Sequence, residues 1–186
     1  MRRFFLKTLM ALAPALTHAQ MLREDISLSD PFVVADPVTK TYYMTGTAGD
    51  IFKSTDLELW TRLPWAIRTN GIAWIGANHT SPSPRQIWAP ELYYRDGAYY
   101  NIVTFTNPNA QTEDTRHARR SIHILKSDKP EGPYSKIAGG DDIYLPASKM
   151  AIDGTLWEED GRTYLVYCYE WVQAGDGGIE YVELKP

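Results

Sequence analysis

Apolar residues along this chain cluster in short strand-like runs separated by polar turns. The clearest pair is Ile152-Asp153-Gly154-Thr155-Leu156-Trp157 and Tyr164-Leu165-Val166-Tyr167-Cys168-Tyr169-Glu170. Between them lies Glu158-Glu159-Asp160-Gly161-Arg162, and Asp-Gly between apolar runs is a strong hairpin signal. An antiparallel hairpin puts the start of its first strand beside the end of its second. Asp153 and Glu170 are therefore expected at one end of the same hairpin. Two carboxylates at one sheet edge are costly unless solvated, paired or used.

The pattern recurs twice upstream. Asp30-Pro31-Phe32-Val33-Val34 turns through Asp36-Pro37-Val38-Thr39-Lys40 into Thr41-Tyr42-Tyr43-Met44-Thr45-Gly46-Thr47. Ala89-Pro90-Glu91-Leu92-Tyr93-Tyr94 turns through Arg95-Asp96-Gly97 into Ala98-Tyr99-Tyr100-Asn101-Ile102-Val103-Thr104-Phe105. Alignment puts Asp30, Ala89 and Asp153 at one position, repeating every sixty residues or so, a spacing that suits propeller blades better than solenoid turns. Third strands are expected at Ile51-Phe52-Lys53-Ser54, at Ser121 to Ser127 and at Ile179 to Leu184. Met21 to Ser29 reads as a lead-in strand or arm, and residues 65–86 and 107–120 as loops. Gly175-Asp176-Gly177-Gly178 reads as a tight turn. No stretch carries a helical period, so the fold class is all-β: a β-propeller of which about three blades are present.

The chain has 186 residues, a formal net charge of −4 and 12% aromatic residues, which fits a globular β protein. Mild acidity with no basic run argues against a nucleic-acid surface. The four histidines show no metal-ligand spacing. No Gly-x-Ser-x-Gly elbow supports an esterase triad. Cys168 is the single cysteine and reads as a small buried hydrophobe.

Residues 1–19 read as a targeting segment. Arg2, Arg3 and Lys7 precede the apolar stretch Thr8 to Leu16, which is too short to span a bilayer, and Thr17-His18-Ala19 offers small residues for cleavage. Arg2-Arg3-Phe4-Phe5-Leu6-Lys7 fits the twin-arginine export pattern, with an ordinary secretory signal as the alternative. The expectation is a periplasmic or extracellular protein, residues 20–186 forming the propeller domain, with no further membrane segment.

The runs SDPFVVADPVTKTYYMTGT, IWAPELYYRDGAYY, SDKPEGPY and AIDGTLWEEDGRTYLVYCYEWVQ together resemble glycoside hydrolase family 43. The resemblance implies a five-bladed propeller hydrolysing arabinose- and xylose-containing polysaccharides with inversion, and a carbohydrate partner. It implies Asp30 as general base, Asp153 as the acid tuning the proton donor, and Trp88 and Ile152 as lining of the sugar subsite. Glu91 is expected either to bond backbone near the site or to be solvated. The family's proton donor usually comes from a fourth blade; here Glu170 or a residue outside these repeats takes that part. Three blades leave a propeller unclosed, so the chain is expected to be part of a longer enzyme and weakly active alone. A glycan-binding module and an inactive remnant are the alternatives. No cofactor is expected; calcium occurs in some relatives, but no ligand set for it is legible. Replacing Arg2 and Arg3 by lysine is expected to hold the protein in the cytoplasm, checked by fractionation; normal export would assign the leader to the ordinary secretory route.

Overall fold

A computed structural model describes residues 19–64, 66–68, 87–106, 120–137, 144–145, 151–169 and 177–185. Residues 1–18, the stretches 69–86 and 107–119 within the expected loops, and Glu170 lie outside the described residues.

Three antiparallel sheets follow one another along the chain. Blade one holds β1 (Gln20–Leu22), β2 (Phe32–Asp36), β3 (Thr41–Thr45), β4 (Ile51–Ser54) and β5 (Leu59–Arg62), in the order β1-β5-β4-β3-β2. Blade two holds β6 (Ile87–Arg95), β7 (Ala98–Thr106), β8 (Arg120–Ser127), β9 (Ser135–Lys136) and β10 (Tyr144–Leu145). Blade three holds β11 (Ala151–Glu159), β12 (Arg162–Tyr169) and β13 (Gly178–Leu184). The expected third strands are β4, β8 and β13. Arg120 belongs to β8 rather than to the preceding loop, and residues 23–25 make a single 3₁₀ turn after β1.

The hairpin turns follow from residue type. Asp96-Gly97 and Asp160-Gly161 have positive φ at both positions, +48° and +79° in the first and +50° and +74° in the second. This is the mirror-image turn whose twist matches the strands it joins, and aspartate with glycine tolerates it best. Blade one turns differently. The Asp36 carboxylate accepts the Val38 and Thr39 N–H groups and the Thr39 hydroxyl. It also accepts the Tyr99 hydroxyl of blade two at 3.0 Å, so one side chain closes a turn and ties two blades.

Each seam between blades is an apolar layer. Tyr43, Ile51, Ile87, Leu92, Tyr99, Val103, Phe105 and Leu125 fill the first. Ile102, Ile122, Ala151, Leu165 and Tyr167 fill the second, with Leu156, Val182 and Leu184 packed against them. Strand β7 therefore has both faces covered, which accounts for its nearly unbroken apolar run. Strand β13 alternates between exposed and half-buried positions because only one of its faces meets a neighbour. Gly154 sits where the second seam is tightest: a Cβ there would lie 2.9 Å from Cγ2 of Ile122 and 3.1 Å from Cγ2 of Ile102.

Two predictions test these seams. Burial of Asp36 opposes its ionisation, but the hydrogen bonds from Thr39, Val38 and Tyr99 outweigh it and hold the carboxyl below its usual 3.8. Stability from this group is thus present above the unfolded-state pKa and lost as pH falls through the lower folded value. Asp36→Asn should lower stability at pH 7 and shrink the loss between pH 5 and 3, read from urea melts; an unchanged acid slope would contradict this. Gly154→Ala should cost about 1–3 kcal/mol by overpacking. The melting temperature should recover in part when Ile122→Ala is added.

Candidate active site

The three inner strands β2, β6 and β11 lie side by side, β6 against both of the others. Each is led by a residue in the left-handed region: Asp30 at φ +53°, Ala89 at φ +40° and Asp153 at φ +54°. These are the three positions that the sequence repeats align. In β6 and β11 the residue sits in a register shift, between Trp88 and Glu91 and between Ile152 and Thr155. A bulge of this kind bends the strand and re-aims its side chains, and such features concentrate at functional sites. Aspartate tolerates the left-handed region better than most residues. Alanine at the same place carries a backbone cost of roughly 1–2 kcal/mol that its packing must offset.

Threonine hydroxyls just beyond β3 and near the end of β7 hold the next blade in place. The Ala89 N–H donates to Oγ1 of Thr47 at 3.0 Å, and the Thr47 hydroxyl donates to Oδ2 of Asp30 at 2.6 Å. The Thr47 N–H in turn donates to the Ser29 carbonyl at 2.9 Å. One seam later the Asp153 N–H donates to Oγ1 of Thr104 at 3.1 Å, and Thr104 pairs across the sheet with Trp88. A continuous set of contacts thus runs Asp30–Thr47–Ala89–Trp88–Thr104–Asp153 across the same end of all three sheets. Both carboxylates are exposed there. Thr47 and Thr104 were not legible as site residues; as threonines in β-rich runs, they carry no signal apart from their repeat position.

The other expected residues lie around this end. Trp88 is half-buried, with the Arg120 guanidinium 3.9 Å from its ring centroid, a cation–π contact that covers one ring face. Ile152 pairs with Cys168 and Ala151 with Tyr169, while Glu170 lies outside the described residues. The Cys168 thiol is pushed up by burial and by the nearby negative charge of Asp153. Glu91 is neither bonded to backbone nor simply solvated: it accepts a very short bond from the Tyr93 hydroxyl. The same hydroxyl meets Oγ1 of Thr155 at 3.0 Å and accepts the Leu156 N–H at 3.1 Å. Burial and Glu91 push the Tyr93 pKa up to about 12, so it stays a donor at any working pH. Glu91 therefore stiffens the seam between blades two and three.

Among the described residues no group of three or more His, Cys, Asp or Glu is placed to hold a metal ion. An open cleft lined by Lys126, Lys129, Pro133 and Lys136 lies toward the turn end of β8, away from the two aspartates. No helix among the described residues is long and apolar enough to cross a membrane.

The same arrangement of sheets occurs in solved structures. The endo-arabinase of Bacteroides thetaiotaomicron matches with a TM-score of 0.71 and 27% identity, over 89% of this chain and 53% of that one. The α-L-arabinofuranosidase of Lactobacillus brevis matches with a TM-score of 0.60 and 19% identity, over 86% of this chain and 50% of that one. The endo-1,5-α-L-arabinanase of Thermotoga petrophila matches with a TM-score of 0.57 and 23% identity, over 86% of this chain and 38% of that one. The chain thus spans about half the length, or less, of these structural relatives. No curated protein matches it by sequence. The profile of the glycosyl hydrolases family 43 matches residues 25–186, and the chain belongs to that family.

Proposed function

We propose that this chain forms the base-side part of an inverting glycosidase site for arabinose- or xylose-containing glycans, exported from the cytoplasm. Asp30 is the general base and Asp153 the acid that tunes the proton donor. Glu170 is the candidate donor within the chain. Trp88, half-buried beside this end, and Ile152 line the sugar subsite. Family membership supports glycoside hydrolysis, and the arabinan- and arabinofuranoside-active relatives support a pentose substrate.

The reading rests on one observation: two exposed aspartates, 123 residues apart by their numbers, lead equivalent inner strands at one end of the sheets. In an inverting reaction Asp30 takes a proton from a water held on one face of the sugar. The water oxygen bonds to the anomeric carbon while the bond to the leaving oxygen breaks. A protonated carboxyl on the opposite face, roughly 6.5–9.5 Å from the base, gives its proton to that oxygen. The Thr47 hydroxyl bonds one oxygen of Asp30 and thereby orients the other toward water. This fixes geometry, which is worth more to a base than extra basicity.

Asp30→Asn is expected to lower kcat on arabino-oligosaccharides by about 10³-fold or more with little change in KM, the signature of a lost transition-state interaction. Proton NMR of the wild-type reaction should show the inverted anomer first. Thr47→Val should give a smaller loss, mostly in kcat. Oligosaccharide binding without turnover, unaltered by Asp30→Asn, would assign the chain to a glycan-binding module.

A further inference from the structure

The residue two places after each leading residue is Phe32 in β2, Glu91 in β6 and Thr155 in β11. All three meet one side chain, the half-buried Tyr93 of β6. Its ring and that of Phe32 lie 5.4 Å apart between centroids, tilted by 46°. Its hydroxyl donates to Oε2 of Glu91 and meets Oγ1 of Thr155 at 3.0 Å. It also accepts the Leu156 N–H at 3.1 Å. With its proton on Glu91, the phenol oxygen accepts from both Thr155 and Leu156, which uses its whole bonding capacity. Strand β11 lies at the edge of its sheet, where backbone groups on the open side need partners from outside that sheet. Tyr93 is such a partner for Leu156.

This cluster lies between the strands that carry the two aspartates. Phe32 and Thr155 stand two residues after Asp30 and Asp153, roughly 7 Å along an extended strand. Apolar burial is non-directional, so by itself it lets two packed sheets slide or tilt. A tilted ring pair and directed hydrogen bonds remove that freedom. The first seam is held at this depth by Thr45, whose hydroxyl donates to the Pro90 carbonyl, and by Thr47 on Ala89 and Asp30. The second is held by Thr104 on Asp153 and by Tyr93 on Thr155 and Leu156. Carboxyls that act together need such bracing, because a misplacement of about 1 Å can cost on the order of 100-fold in rate.

We propose that Tyr93 is a positioning residue for the hydrolytic reaction, its hydroxyl setting where Asp153 stands relative to Asp30. Its ring is braced on blade one through Phe32, and its hydroxyl grips blade three through Thr155 and Leu156. One side chain of the middle blade thus carries the spacing between the two aspartates. The catalytic consequence rests on the roles given above to Asp30 and Asp153, whereas the placement of Asp153 is readable without turnover.

Tyr93→Phe keeps the ring on Phe32 and removes the hydroxyl alone. On an arabino-oligosaccharide its kcat is expected to fall on the order of 10- to 100-fold, with KM within about twofold of wild type. Arg95→Ala cuts the contacts to Thr163 and Glu158 at the far end of the same seam. It should lower the melting temperature and leave kcat unchanged. NMR of the chain reads the geometry directly: in Tyr93→Phe the amide and carboxyl-carbon signals of Asp153 should move while those of Asp30 stay in place. Arg95→Ala should leave both sets in place. Equal losses of kcat in the two variants, or unmoved Asp153 signals in Tyr93→Phe, would overturn the proposal. A wild-type chain without turnover would sink the hydrolytic reading of the site, and the NMR signals would then decide the placement of Asp153 by themselves. If Tyr93→Phe does not fold, Thr155→Val removes one of the same hydrogen bonds and is expected to move the same Asp153 signals.

Discussion

The hydrogen bond from the leading residue of one inner strand to a threonine hydroxyl of the preceding blade is the contact on which this architecture turns. It satisfies a backbone N–H that the bulge has removed from its own ladder, and an unpaired buried donor would cost about 1–3 kcal/mol. It also sets how far each sheet is offset from the last. Thr47 and Thr104 make this contact in successive seams with nearly the same length, 3.0 and 3.1 Å. The apolar layers supply most of the stabilisation, but apolar contact alone would let the sheets slide. The polar contact at one end and the Arg95–Thr163 and Arg95–Glu158 contacts near the turns fix the second seam at both ends.

That constraint explains why the same positions serve structure and chemistry. A left-handed leading residue must be small, polar or both, and aspartate meets this need while carrying a carboxylate. In the second blade the same left-handed position holds Ala89, with no acid. The glycine or proline that follows, Pro31, Pro90 and Gly154, has its own reason in the third case, where Ile102 and Ile122 leave no room for a Cβ. Asp36 shows the same economy at the other end of the sheets, closing a turn and receiving the Tyr99 hydroxyl from the next blade.

Much of this was legible in the chain. Hairpins, their Asp-Gly turns, the repeat and the shared position of Asp30, Ala89 and Asp153 all follow from local pattern, since alternation and turn chemistry act over a few residues. The roles of Glu91, Thr47 and Thr104 were not legible. The sequence leaves Glu91 either bonding backbone near the site or solvated, but it pairs with Tyr93, two residues along the same strand and on the same sheet face. The significance of that pair comes from Thr155 and Leu156, sixty-two and sixty-three residues away, which only the third sheet brings near.

By itself the sequence determined the all-β class, the number of sheets and which residues lead each one, because these depend on short-range period and on backbone conformations few residue types accept. Packing of the three sheets against one another brings the leading residues to one end, selects the hydroxyl that holds Ala89 and Asp153, and covers the seam faces. Those outcomes depend on the offset between sheets, and that offset is set by contacts between residues tens of positions apart that no local pattern encodes.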